Sequence, residues 1–206
     1  MKFRVIVADP CWQFSDKISM SSVPRGAAAN YPTLTSKTIQ ELNVQSLAAK
    51  DSVLALWCPS SLLPEGLQTV SNWGFDFKQT WIWVKTKHKP KQSDNLNDSL
   101  AFGLGRMFRQ THEIALIGTR GKIYDKLINK SQRSVFIHPA TKHSVKPEGL
   151  QDMLDIMFPR VQKLEMFARR QRDKWICIGN EAPMSLGEDI RDSINRLNKS
   201  KRKMAS

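Results

Sequence analysis

The chain has 206 residues, of which 40% are hydrophobic and 25% charged, enough to bury one core without disulfide or metal staples. Its longest apolar runs are strand-sized, far short of the ~20 residues of a membrane helix, and its N-terminus lacks the pattern of a signal peptide; a soluble, cytoplasmic protein that avoids the membrane is expected. The 32 Lys plus Arg against 19 Asp plus Glu give a net charge of +13, which points to a polyanionic partner, while the odd number and wide separation of Cys11, Cys58 and Cys177 exclude a disulfide framework and a zinc cluster.

In chain order, residues 3–9 predict a buried strand that runs directly into Asp9, Pro10, Cys11 and Trp12. A long unassigned stretch, 10–35, precedes a helix over 36–49. A strand over 52–58, a helix over 61–73 ending before Gly74 and a strand over 77–84 follow. Residues 86–109 read as a loop, 113–118 as a strand, 119–133 as a loop and 134–137 as a strand. Pro147 opens a helix over 147–157, strands cover 163–167 and 175–178, and Leu186, Ile190, Ile194 and Leu197 mark one face of a last helix.

Most of the seven strands lack strict alternation, as expected of strands covered on both faces. The order of elements predicts an α/β fold, an open doubly wound sheet with helices on both sides. The chain divides into a single domain over 1–198 and a basic, flexible tail over 199–206. Each of the three long loops leaves the C-terminal end of a strand, so all three are expected at the edge where such sheets bind ligands.

Lys78, Lys85, Lys87, Lys89 and Lys91 surround Trp81 and Trp83, a mixture suited to phosphate contacts and base stacking. A second basic stretch spans 120–146. Taken by themselves, Arg169, Arg170 and Arg172 need be no more than a solvated basic turn. His112-Glu113 starts like a helical zinc motif, but Leu116 stands where the second His is needed, so no metal is expected. The stretch from Gly103 to Phe108 lacks the third glycine of a dinucleotide loop, and neither a phosphate-binding loop nor a serine elbow occurs.

The opening strand carries the functional argument. An acid at the C-terminal end of a strand, followed by a proline that fixes φ and removes an N–H, sits where ligands bind. The Asp9 carboxylate and a neighbouring carbonyl form two acceptors for the two N–H groups of an exocyclic amine, with Trp12 as a surface for the flat ring that carries it.

Asp9-Pro10-Cys11-Trp12 resembles the D-P-P-W signature of the amino-methyltransferases, and the chain as far as Glu181 is similar to their N6-adenine branch, relatives of the catalytic subunit of the mRNA N6-adenosine methyltransferase. The matching segments are Tyr31-Pro-Thr-Leu-Thr, Leu56-Trp57, Trp81-Ile-Trp-Val-Lys-Thr, Gly105-Arg106, His112 to Gly121, His143-Ser-Val-Lys-Pro147, Leu164 to Arg169 and Trp175 to Glu181. The size suits a small prokaryotic or viral member.

The resemblance implies a Rossmann-like methyltransferase with a mixed, mostly parallel seven-stranded sheet and permuted motif order, and S-adenosylmethionine as cofactor. It implies that Asp9, Pro10 and Trp12 form the catalytic turn. Asp9, Lys146, Glu165, Phe167, Arg169, Asn180 and Glu181 would bind the cofactor, and Trp12, Tyr31, Lys85 and Glu113 the target base. The expected activity is methylation of adenine N6 in nucleic acid, DNA ahead of RNA, by a protein that pairs with itself or with a partner subunit. Cys11 in place of the second proline, with the net charge, leaves a non-catalytic nucleic-acid-binding subunit as an alternative; because D-P-P-W-like motifs recognise amino groups in general, transfer to N4 of cytosine is another.

Overall fold

The computed structural model describes residues 2–14, 33–93, 95–103, 105, 107–140 and 145–202. Tyr31, Arg106, His143 and Ser144 lie outside them, as do residues 203–206.

Seven strands, β1 (Phe3–Ala8), β2 (Ala48–Cys58), β3 (Asp76–Thr86), β4 (His112–Arg120), β5 (Val135–Pro139), β6 (Lys163–Met166) and β7 (Trp175–Ile178), form one sheet in the order β5-β3-β4-β2-β1-β6-β7. The pairs β1/β2, β1/β6, β6/β7 and β3/β5 are parallel, whereas β4 runs antiparallel to both β2 and β3. This is the mixed, mostly parallel Rossmann-like sheet expected, and its short, continuous apolar segments follow from burial on both sides.

Two apolar clusters lie on the two faces. On one, Ile6, Ala8, Leu54, Leu56 and Leu116 of the sheet meet Ile39 of helix α1 (Ser36–Gln40), Val70 of α2 (Leu63–Asn72) and Ile190 and Ile194 of α4 (Ile190–Arg202). On the other, Val5, Val7, Val53, Trp57, Trp81, Trp83 and Ala115 meet Leu150 and Leu154 of α3 (Gly149–Met157). Alternation along each strand decides which face a residue serves.

Local signals explain most of the boundaries. The Thr35 side chain accepts the Thr38 N–H at 3.1 Å and caps α1, and Gly74, at φ 80°, ends the turn after α2. Gly149 lets the first turn of α3 come down onto the Phe136 ring, where a β-carbon would lie 2.5 Å from the nearest ring carbon. That close approach sets the height of α3 above the sheet.

Three expectations need correction. The helix expected over 36–49 stops at Gln40; Asn43 caps a 3-10 turn, Val44–Ser46, and Ala48 already pairs with Phe3. Leu186 is exposed and precedes α4, because the chain first turns through Pro183–Ser185, and the helix itself continues to Arg202. The stretch 119–133 emerges at the sheet edge opposite the other two long connections, because β4 runs against its neighbours. The strand alone does not reveal its direction.

Candidate active site

The C-terminal ends of β1, β2, β3 and β5 share one edge with the N-terminal end of β4. Along this edge, pleating turns Asp9, Trp57, Lys85 and Glu113 toward the α3 face, the same face as Val5, Val7, Trp81 and Trp83. Glu113 lies opposite Trp83 in the β3/β4 ladder, two positions before Lys85. Lys146, three residues ahead of α3, reaches across from the helix layer.

Asp9, Lys146, Glu113 and Lys85 form one chain of alternating charge. Lys146 Nζ lies 3.0 Å from Asp9 Oδ1 and 3.1 Å from Oδ2, and 3.2 Å from Glu113 Oε2. Lys85 Nζ lies 2.5 Å from Glu113 Oε1. Lys146 is 17% exposed and Glu113 30%. Burial by itself pushes the Glu113 carboxyl up, but the Lys146 and Lys85 ammoniums outweigh it and hold the group below the usual carboxylate range. Burial pulls the Lys146 ammonium down; Asp9 and Glu113 outweigh that and hold it above the usual lysine value. Each carboxylate in this cluster faces an ammonium and each ammonium a carboxylate, so the charges are compensated in pairs.

An aromatic floor supports the cations. The Trp57 ring lies 5.4 Å from Lys146 Nζ, and the Trp83 ring 4.9 Å from Lys85 Nζ. Trp57 meets Trp81 edge-on, Trp81 stacks on Phe136, and Phe136 stacks on His138. Trp81 and Trp83 are thus buried core residues, as most tryptophans are, and their rings offer no exposed surface for base stacking.

The Asp9 turn is closed by several bonds. The Trp12 N–H donates to the Pro10 carbonyl at 2.9 Å, the Leu34 N–H to the Cys11 carbonyl at 2.9 Å, and the Gln13 N–H to the Leu34 carbonyl at 3.0 Å. Trp12 is only 3% exposed, packs in the cluster beneath α1 and α2, and donates its indole N–H to the Trp57 carbonyl at 2.9 Å. Its ring anchors the turn and presents no open face.

Beyond β1, the ends of β6 and β7 complete the edge. The Asp9 N–H reaches the Met166 carbonyl at 3.4 Å, and the Ala168 N–H the Ile178 carbonyl at 3.0 Å. Phe167 adopts φ 62°, a costly conformation for a residue with a side chain. Gly179 fits beneath it because a β-carbon there would lie 2.4 Å from the Ala168 carbonyl oxygen. Arg169 and Glu181 pair at 3.6 Å, and the Asn180 carbonyl accepts the Gly187 N–H at 2.8 Å. The Cys11 thiol is raised by burial and by Asp9, and also feels Arg169, Lys146 and Glu181. The residue that replaces the second proline therefore sits among the charges of both halves of the edge.

Glu165 differs from its expected neighbours. Its carboxylate, raised by burial despite the opposing cation, lies 3.0 Å from Arg170 and 3.1 Å from Gln151. Arg170 and Arg172, expected as a solvated turn, belong instead to an ion-pair cluster with Glu148, Asp152 and Asp155. The sequence signal that finds them is the spacing of those three acids, which places them on one face of α3.

A family model described as MT-A70 matches residues 3–181. The chain belongs to the MT-A70 family. Among MT-A70 relatives and their kin, it is 29% identical over 197 residues to the type II methyltransferase M.MunI of Mycoplasma sp, covering 88% of this chain and 78% of that protein. It is 27% identical over 184 residues to a probable N(6)-adenosine-methyltransferase MT-A70-like protein of Oryza sativa, covering 87% of this chain and 23% of that one. It is 26% identical over 184 residues to the human N(6)-adenosine-methyltransferase catalytic subunit METTL3, covering 87% and 28% respectively. The chain thus spans about a quarter of these two eukaryotic MT-A70 proteins and most of the Mycoplasma one. Among the described residues no helix is long and apolar enough to cross a membrane.

Proposed function

We infer that this protein transfers the methyl group of S-adenosylmethionine to N6 of adenine in nucleic acid. The observation that carries the reading is the Asp9 carboxylate at the ligand edge of a Rossmann-like sheet, within a compensated cluster with Lys146 and Glu113, in a chain of the MT-A70 family. DNA is proposed ahead of RNA because the relative matched over most of its length is named a type II methyltransferase. The names of the eukaryotic relatives favour RNA but describe much longer proteins.

The residues at the edge fit the cofactor's chemistry. Its amino-acid end carries a carboxylate, for which Lys146 offers a cation; its ribose and adenine need donors and acceptors, which Arg169, Asn180 and Glu181 supply beside Phe167. Bound there, the sulfonium supplies an activated methyl group. The exocyclic amine of adenine is a poor nucleophile because its lone pair is delocalised into the ring. Acceptors at Asp9 and the adjoining backbone hold its N–H groups and favour a pyramidal nitrogen. Alignment then contributes most of the acceleration, and Asp9 stabilises the positive charge that develops on nitrogen. Glu113, in the same cluster, is proposed to meet the base edge.

The test is nucleoside mass spectrometry after incubating the protein with S-adenosylmethionine and single-stranded or duplex DNA or RNA. N6-methyladenine is the expected product. N4-methylcytosine redirects the assignment to cytosine, and no methylated nucleoside on any substrate overturns it in favour of a non-catalytic subunit.

A further inference from the structure

We infer that Arg170 and Arg172 are positioning residues of the cofactor site, which clamp the segment bearing Lys146 to the segment bearing Phe167 and Arg169. This rests on the reading above. Glu148 follows Lys146 by two residues, and Arg170 follows Arg169 by one, so any contact between Glu148 and Arg170 sets the separation of two walls of the site.

That contact is bidentate. Arg170 Nε donates to Glu148 Oε1 at 2.5 Å, a second guanidinium nitrogen binds Glu148 Oε2, and the third reaches Glu165 at 3.0 Å. Arg172 binds the same Glu148 Oε2 at 2.5 Å, Asp152 at 2.6 Å and Asp155 at 2.8 Å. Asp155 in turn takes Lys163 at 3.1 Å and the Trp175 indole N–H at 3.0 Å, which roots the cluster at the starts of β6 and β7. Forked guanidinium pairs carry directional information that an ammonium lacks. Glu148 stands at the N-cap of α3 yet makes no capping bond; its carboxylate is committed to the arginines instead.

The connection between β6 and β7 shows why a clamp is needed. Phe167 and Lys174, both at φ 62°, are the two non-glycine residues with positive φ among those described, and they bound this connection on either side. Such conformations persist only where surrounding contacts over-determine them. The acids at the start and along the face of α3, the element that Lys146 leads into, hold Arg170 and Arg172 between those two positions.

Three single variants, Arg170→Gln, Arg170→Lys and Glu148→Gln, and the double variant Arg170→Gln/Glu148→Gln test the clamp, each checked for cooperative melting. Titration with S-adenosylhomocysteine, which binds without turnover, is expected to show Kd raised about tenfold for Arg170→Gln. At saturating S-adenosylmethionine kcat should change far less than KM. Arg170→Lys should recover only part of the loss, and the Arg170→Gln/Glu148→Gln double variant should be no worse than the poorer single one. Hydrogen exchange should quicken in 145–150 and 167–174 together. Unchanged affinity in folded variants, or faster exchange confined to one segment, overturns the inference. A wild-type protein that binds no S-adenosylhomocysteine refutes the proposed function instead, and the exchange measurement still decides whether the arginines join the two segments.

Discussion

Lys146 grips Asp9 through both carboxylate oxygens, at 3.0 and 3.1 Å, while its third direction is taken by Glu113 at 3.2 Å. The residue expected to receive the target amine is therefore held by a cation that also answers to a second acid. Charge at this edge is shared among several groups, and each variant there redistributes it.

Asp9→Ala is expected to abolish methyl transfer, and Asp9→Asn to lower kcat by at least about a hundredfold, the scale of losing an electrostatic contact to developing charge. Both should melt cooperatively. A labelled-methyl assay at saturating cofactor reads the effect; near-normal turnover of Asp9→Ala removes the assigned role.

The cluster also sets a pH window. Glu113 is depressed when folded, so its stabilising contribution is present above its unfolded pKa and fades as pH falls through the lower folded value. Lys146 is raised when folded, so its contribution is present below its unfolded pKa and is lost as pH rises through the higher folded value. Denaturant melts of wild type and Glu113→Gln should differ by about 1–3 kcal/mol near neutrality, and the difference should shrink below about pH 4.

Trp12 separates an anchor from a stacking surface. As a buried ring bonded to the Trp57 carbonyl, Trp12→Ala should cost about 3–5 kcal/mol. Trp12→Phe, which keeps most of the volume but orphans that carbonyl, should cost about 1–3 kcal/mol. Chemical denaturation measures both. A Trp12→Phe variant of full stability and weakened nucleic-acid binding points to stacking instead.

Cys11→Pro restores the second proline. The bonds that close this turn use the Cys11 carbonyl and the amides of Trp12, Gln13 and Leu34, and none of them uses the Cys11 N–H. The variant is expected to keep activity within about threefold of wild type, with stability changed by no more than about 1 kcal/mol. Paired melting and methyl-transfer measurements decide it; a large gain in kcat shows that the natural turn is too loose.

The strands were legible because burial on both faces leaves short, concentrated apolar segments bounded by turn residues, and all seven predicted segments overlap β1 to β7. Strand direction was not legible, since hydrophobic pattern is the same read either way; β4 therefore carried its following loop to the unexpected edge. Ala48 and Ala49 fit a helical pattern locally, but pairing with β1 drew them into β2. At the site, Asp9, Lys85, Glu113 and Lys146 were found by motif order, and the structure brings them within one cluster. Arg170 and Arg172 looked solvated because their acidic partners at the start and along the face of α3 lie some 20 residues away in sequence.

Because β4 arrives at the ligand edge where its neighbours depart, Glu113 is delivered by a chain that has already travelled through 87–111. Its position is nonetheless fixed by the ladder with Trp83, and not by the path taken to reach it. The connection is itself tied back to this edge, since the Lys85 carbonyl accepts the Ala101 N–H and the Lys85 N–H donates to the Thr111 carbonyl, both at 2.8 Å, so the acid and the lysine that faces it are held from both ends of the excursion.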